Sequence, residues 1–192
     1  MKYLTTALVM IMLIIASQET FAQGTWTTFP EKYSYSLAVD SDGALWFSGG
    51  SEVLRYDGET WTSFTEEGGF SENKVFSMAA SSDGDVWFGT RNGVTLYDGE
   101  TWTSFDEDNG LTVGKWGIDT IAITPGGILW VALHNVGVTR YDGETWTTFT
   151  KADGLGGDWI KSIAVISDDI VLFGTYGYGI SIYYGENWSY IT

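Results

Sequence analysis

The sequence predicts an all-β chain built from one repeated four-stranded unit, and three observations carry that prediction. The phrase Tyr-Asp-Gly-Glu-Thr-Trp-Thr occurs at Tyr56–Thr62, Tyr97–Thr103 and Tyr141–Thr147, with a worn copy at Tyr184–Ser189. The tryptophans Trp26, Trp61, Trp102, Trp146 and Trp188 are spaced by 35, 41, 44 and 42 residues, a period of solenoids and propellers. Two landmarks recur between them: Ser36–Val39, Ser77–Ala80, Thr120–Ile123 and Ser162–Val165, then Gly43–Phe47, Gly84–Thr90, Gly127–Val131 and Ile170–Thr175. Each unit thus resolves into four short β-rich runs separated by Gly, Asp and Asn, the composition of strands and tight turns. Four strands per unit of this period is a propeller blade.

Taken in order, the chain opens with Lys2, an apolar run from Ala7 to Ala16 and the small-x-small site Thr20-Phe21-Ala22. That layout is a secretory signal, residues 1–22, and its apolar run is shorter than the ~20 residues a bilayer span needs. Residues 23–192 form the repeat region. An extra outer-type strand is expected at 25–29, and blade cores near 36–64, 75–105, 118–149 and 160–191. In the second unit, strand A is expected at Val75–Ala80, B at Asp85–Gly89, C at Val94–Tyr97 and D at Thr101–Phe105. Asp98-Gly99 between C and D suits a hairpin turn that needs positive φ. Five D strands for four A–B–C sets leave two readings. The blades form either a closed four-bladed ring with a spare terminal strand, or an open arc whose uncovered ends favour self-association.

The wording of the repeat is specific. Asn73-Lys74-Val75-Phe76-Ser77 through Asp83-Gly84, Trp87-Phe88-Gly89-Thr90, Gly93-Val94 and Tyr97-Asp98 resembles the two-component-regulator propeller repeat. The resemblance spans the region after the signal. It implies a sensor-type propeller, of the kind found outside the cell in bacterial hybrid two-component systems and in free-standing exported proteins. No kinase region or membrane-length run is read beside it.

Composition bounds the partners. With 25 acidic against 9 basic residues, a net charge of −16, nucleic acid and anionic membrane surfaces are excluded as partners. The absence of cysteine leaves stability to packing. Antiparallel topology puts the D–A and B–C loops on one side and the A–B and C–D turns on the other. The turns are near-identical; the loops vary, as where a scaffold carries function. Ligand-binding candidates are therefore Tyr33, Tyr35, Lys74, Arg91, Trp116, His134, Asn135, Trp159, Tyr176 and Tyr178, with Asn92, Lys115 and Lys161 nearby. Aromatic faces with amide and basic neighbours suit a sugar. Trp46, Trp87 and Trp130 read as core instead.

The expected function is a non-enzymatic, exported module, periplasmic or extracellular, that binds a glycan or peptide ligand without cofactor or metal. Carbohydrate lyase or hydrolase chemistry would have to pass through His134, the single histidine, or through acid pairs such as Asp106/Asp108 and Glu66/Glu67. A structural fragment of a larger sensor is the third alternative. Asp40-x-Asp42-Gly43 and Asp106–Gly110 have the oxygen density of calcium loops, but without the downstream acid of an EF-hand they read as turns.

Overall fold

The structure, a computed structural model, describes residues 34–49, 52–65, 70 and 74–192. All lie within the compact unit Tyr33–Thr192. The expected signal segment, the strand at 25–29, Tyr33 and the Glu66/Glu67 pair lie outside the described residues.

Among the described residues, sixteen strands form four antiparallel sheets of four, each in simple sequence order. Blade one holds β1 (Leu37–Val39), β2 (Leu45–Gly49), β3 (Glu52–Tyr56) and β4 (Trp61–Phe64). Blade two holds β5 (Val75–Ala80), β6 (Val86–Thr90), β7 (Val94–Tyr97) and β8 (Trp102–Phe105). Blade three holds β9 (Ile118–Ile123), β10 (Leu129–Leu133), β11 (Gly137–Tyr141) and β12 (Trp146–Phe149). Blade four holds β13 (Ile160–Val165), β14 (Ile170–Thr175), β15 (Ile180–Tyr184) and β16 (Asn187–Ile191). Strand B of blade two runs one residue later than its sequence pattern implied. Two 3-10 turns, Glu107–Asn109 and Lys151–Asp153, precede blades three and four, each closed by a capping box and a left-handed glycine. The first is the acidic run Asp106–Gly110, and its carboxylate caps backbone, which the sequence expectation of a turn required.

The repeated phrase is a complete turn device. In blade one, Asp57 accepts from the backbone N–H of Glu59 and Thr60 and from the Thr60 hydroxyl. The Tyr56 hydroxyl donates to the Gly58 carbonyl, and the Tyr56 ring stacks on Trp61 at 4.7 Å. Gly58 sits at φ 101°, which favours glycine. Blades two and three repeat each of these hydrogen bonds. The worn copy aligns one residue earlier than its wording implies. Tyr183, not Tyr184, pairs with Trp188 as Tyr56 pairs with Trp61, so Tyr184 stands where Asp57 does.

The second motif also has a physical reading. The Thr90 hydroxyl donates to the Gly93 carbonyl and accepts from the Gly93 N–H, and Thr175 makes the first bond to Gly179. Gly93 opens strand C against the outer strand, where a Cβ would collide with the Phe105 carbonyl oxygen. Gly89 lies against the next blade: a Cβ there would fall 2.8 Å from Ile118 Cγ2.

The core is three seams. Each inner strand packs on the next, β1 on β5, β5 on β9 and β9 on β13, and no comparable packing joins β13 to β1 among the described residues. The sheets form an open arc, so of the two closure readings the partial propeller stands. Each seam holds a cluster around one tryptophan: Trp46 with Phe88, Trp87 with Leu129, Trp130 with Phe173. All three are buried. Trp46 is also fixed by donating to Asp40 at 2.8 Å, so that acid serves its own turn and the core.

Candidate functional site

The inner strands of blades two, three and four each carry a β-bulge at their first turn. Val75 pairs with Thr90 and Ser77 with Gly89, so Phe76 is the extra residue; Asp119 and Lys161 are extra in the same way. Tyr35 holds the matching position before β1. A bulge re-aims one side chain without disturbing the flanking ladder. The result is a row of four unlike residues, Tyr35, Phe76, Asp119 and Lys161, on otherwise uniform strands. It runs along the side where the D–A and B–C loops emerge.

The row is densest between blades three and four. Asp119 Oδ1 lies 2.9 Å from His134 Nδ1, and Asp119 Oδ2 accepts from Trp159 Nε1 at 3.2 Å. Lys161 Nζ is 3.8 Å from the same oxygen and 4.1 Å from the Trp159 ring centroid. Trp159 packs on Tyr176 at 4.4 Å and on His134 at 5.2 Å, with Trp116 at 6.3 Å from His134. The Tyr176 N–H donates to the Trp159 carbonyl, and the His134 N–H to that of Gly117, so backbone bonds tie these two B–C loops to the D–A loops beside them. Asp119 thus organises a partly open cluster with one carboxylate, one imidazole and several ring faces.

A second regularity concerns lysine. Lys74 Nζ lies 4.7 Å from the Tyr35 ring and 4.9 Å from Phe76; Lys115 lies 5.5 Å from Trp116, and Lys151 4.6 Å from Tyr178. With Lys161 on Trp159, every described lysine caps an aromatic ring. An ammonium over a ring face is attracted by the ring quadrupole. The A–B and C–D turns on the opposite side carry acidic residues and no lysine or arginine. Asp57 and Asp142 there are held to pKa values of about 2, chiefly by the N–H of Thr60 and Thr145, so that side stays anionic in mild acid.

Two clefts flank the cluster. One of about 470 Å³ is lined by Arg91, Asn92, Asp106, Glu107, Val113 and Lys115; another of about 300 Å³ by Lys151, Leu155, Tyr178 and Tyr190. The sequence candidates therefore divide. Trp116, His134, Trp159 and Tyr176 meet around Asp119. Tyr35 and Lys74 form a pair further along the row, Arg91 lies in the first cleft and Tyr178 in the second. Asn135 occupies the tip of its loop at φ 58°, a conformation asparagine tolerates. Asp119 escaped the sequence reading because it sits inside a strand. The usable signal was its variability against Phe76 and Lys161 at one register position.

Comparison with known proteins supports the repeat. Residues 69–92 match the family model described as Two component regulator propeller. No curated protein matches the chain. The extracellular domain of the hybrid two component system protein BT3049 from B. thetaiotaomicron is similar at TM-score 0.67 and 16% identity, over 85% of this chain and 25% of that one. PorZ, a surface component of the type-IX secretion system of Porphyromonas gingivalis, gives 0.60 and 20%, over 83% and 26%. Virginiamycin B lyase from Staphylococcus aureus gives 0.65 and 17%, over 86% and 57%. The chain thus spans about a quarter of the first two and over half of the third. The likeness is one of fold.

Proposed function

We propose that this chain is an exported, non-catalytic sensing or interaction module that binds a glycan, preferentially one bearing carboxylates, at the Asp119–His134–Trp159 cluster. The observation that carries the reading is the capping of loop-side rings by lysine. Rings stack on the C–H faces of sugars, while ammonium groups beside them pair with acidic substituents. The anionic turn side would repel the same ligand. The signal-like leader and the likeness to extracellular sensor domains support export and a sensing role.

The test is titration of the purified protein with a panel of neutral and acidic glycans, followed by tryptophan fluorescence and calorimetry. Saturable binding that is strongest for acidic members is expected and should weaken with salt. Absence of binding across the panel would remove the reading.

His134, held by Asp119 at 2.9 Å, favours one second reading, a lyase in which the imidazole takes a proton from the substrate. Product formation from the same panel that is abolished by His134→Ala would establish it. Binding without turnover supports the sensing reading.

A further inference from the structure

The outward face of blade four is built as a blade-to-blade joint. In the first two internal seams, Ser36 Oγ accepts from the Met78 N–H of the next blade at 3.0 Å, and Ser77 Oγ from the Ile121 N–H at 3.1 Å. Ser162 occupies the same register position in blade four and is exposed. Gly89 admits β9 to close approach, and Gly174 is its counterpart opposite Ser162.

The apolar positions repeat as well. Val53, Val94 and Val138 are buried against the following blade, whereas their counterpart Ile180 is 44% exposed. Ile191, which pairs with Ile180 as Phe64 pairs with Val53, is 60% exposed. A repeat face built for water is polar; this one carries isoleucines, a serine and a glycine in seam register. What covers such a face elsewhere in the molecule is always the leading face of another blade.

Blade one presents that complement. Its Ala38 turns into the first seam, while Leu37 and Val39, at 66% and 53% exposure, point the other way. They hold the positions of Met78 and Ala80, or Ile121 and Ile123, which pack on the blade before them. We infer that the outward face of blade four docks the leading face of blade one of a second copy, head to tail, with Ser162 Oγ accepting from the partner's backbone at the position of Leu37. Such a contact is heterologous, joining two different surfaces.

Sedimentation of the wild-type chain over a concentration series, beside Ala164→Arg on one face and Leu37→Arg on the other, tests it. Wild type is expected to reach at least twice the monomer mass, and each variant alone to stay monomeric. An equimolar mixture of the two variants should recover a two-chain species, because one intact face of each kind remains. That recovery also shows both variants folded; Ser162→Arg provides a second block of the same face. A wild-type chain that is monomeric throughout, an association that Leu37→Arg leaves intact, or a mixture that stays monomeric would each overturn the inference.

Discussion

Asp119 is the residue on which the candidate site turns, because three partners from two blades converge on its carboxylate. Removing the Trp159 ring deletes a stacking surface beside it without removing a member of the buried third-seam cluster. Trp159→Ala is therefore expected to weaken glycan binding tenfold or more, about 1.4 kcal/mol, with a small change in thermal midpoint, as read by calorimetry and melting. Trp130 tests a different role. Trp130 is fully buried in the third seam, so Trp130→Ala should cost ~3–5 kcal/mol of stability. Leu172 pairs with Ala164 as Trp130 pairs with Ala122 but on the uncovered face, and Leu172→Ala should cost far less. Denaturant midpoints of the two variants compare them directly. Sequence alone found the core tryptophans, since they recur, and it named Trp116, His134, Trp159 and Tyr176 as candidates, since loops vary; the structure brings these four together. Sequence missed Asp119 and Phe76, and the register position they share with Tyr35 and Lys161, because a strand residue looks like scaffold until a bulge re-aims it.

At the level of elements, the C–D turns make stability depend on acid. Asp57 and Asp142 have folded pKa values of about 2 against an ordinary 3.8, first because the Thr60 and Thr145 N–H groups bond the ionised form. A depressed carboxylate pKa gives stability that is complete above the ordinary value and lost as pH falls through the folded value. The thermal midpoint should therefore decline between about pH 4 and pH 2, and the Asp57→Ala/Asp142→Ala variant should show a lower plateau with a shallower decline. Glycine carries a second elemental prediction. Gly93→Ala drives a methyl into the Phe105 carbonyl, whereas Gly99→Ala, at φ 97°, meets open space. The first should cost well over 1 kcal/mol and the second about 1–2 kcal/mol of left-handed strain at most, with the first the larger in urea titrations. The turn phrase itself was legible because its chemistry is local: an aspartate, a glycine and a threonine close the turn among themselves. The last copy misled by one residue, since Tyr183-Tyr184 offers two tyrosines and only pairing with Trp188 selects the first.

For the whole molecule, the period and the four landmark sets made the blades readable, while closure was not. Whether a ring closes depends on the angle accumulated at each seam and on which terminal surface is covered, and neither is written in the repeat. The arc leaves aliphatic residues exposed on blade four where internal blades bury valines and aromatic residues, and it arrays lysine-capped rings along one side with acidic turns along the other. The proposed joint rests on the first asymmetry and the proposed binding side on the second.

The most direct test of the binding side is a parallel titration of wild type, Trp159→Ala and the turn variant Asp57→Ala with the acidic glycan that binds best. Wild type and Asp57→Ala should bind alike, and Trp159→Ala should lose tenfold or more. Equal binding by all three, or loss in the turn variant with retention in Trp159→Ala, would contradict the assignment of the loop side as the site.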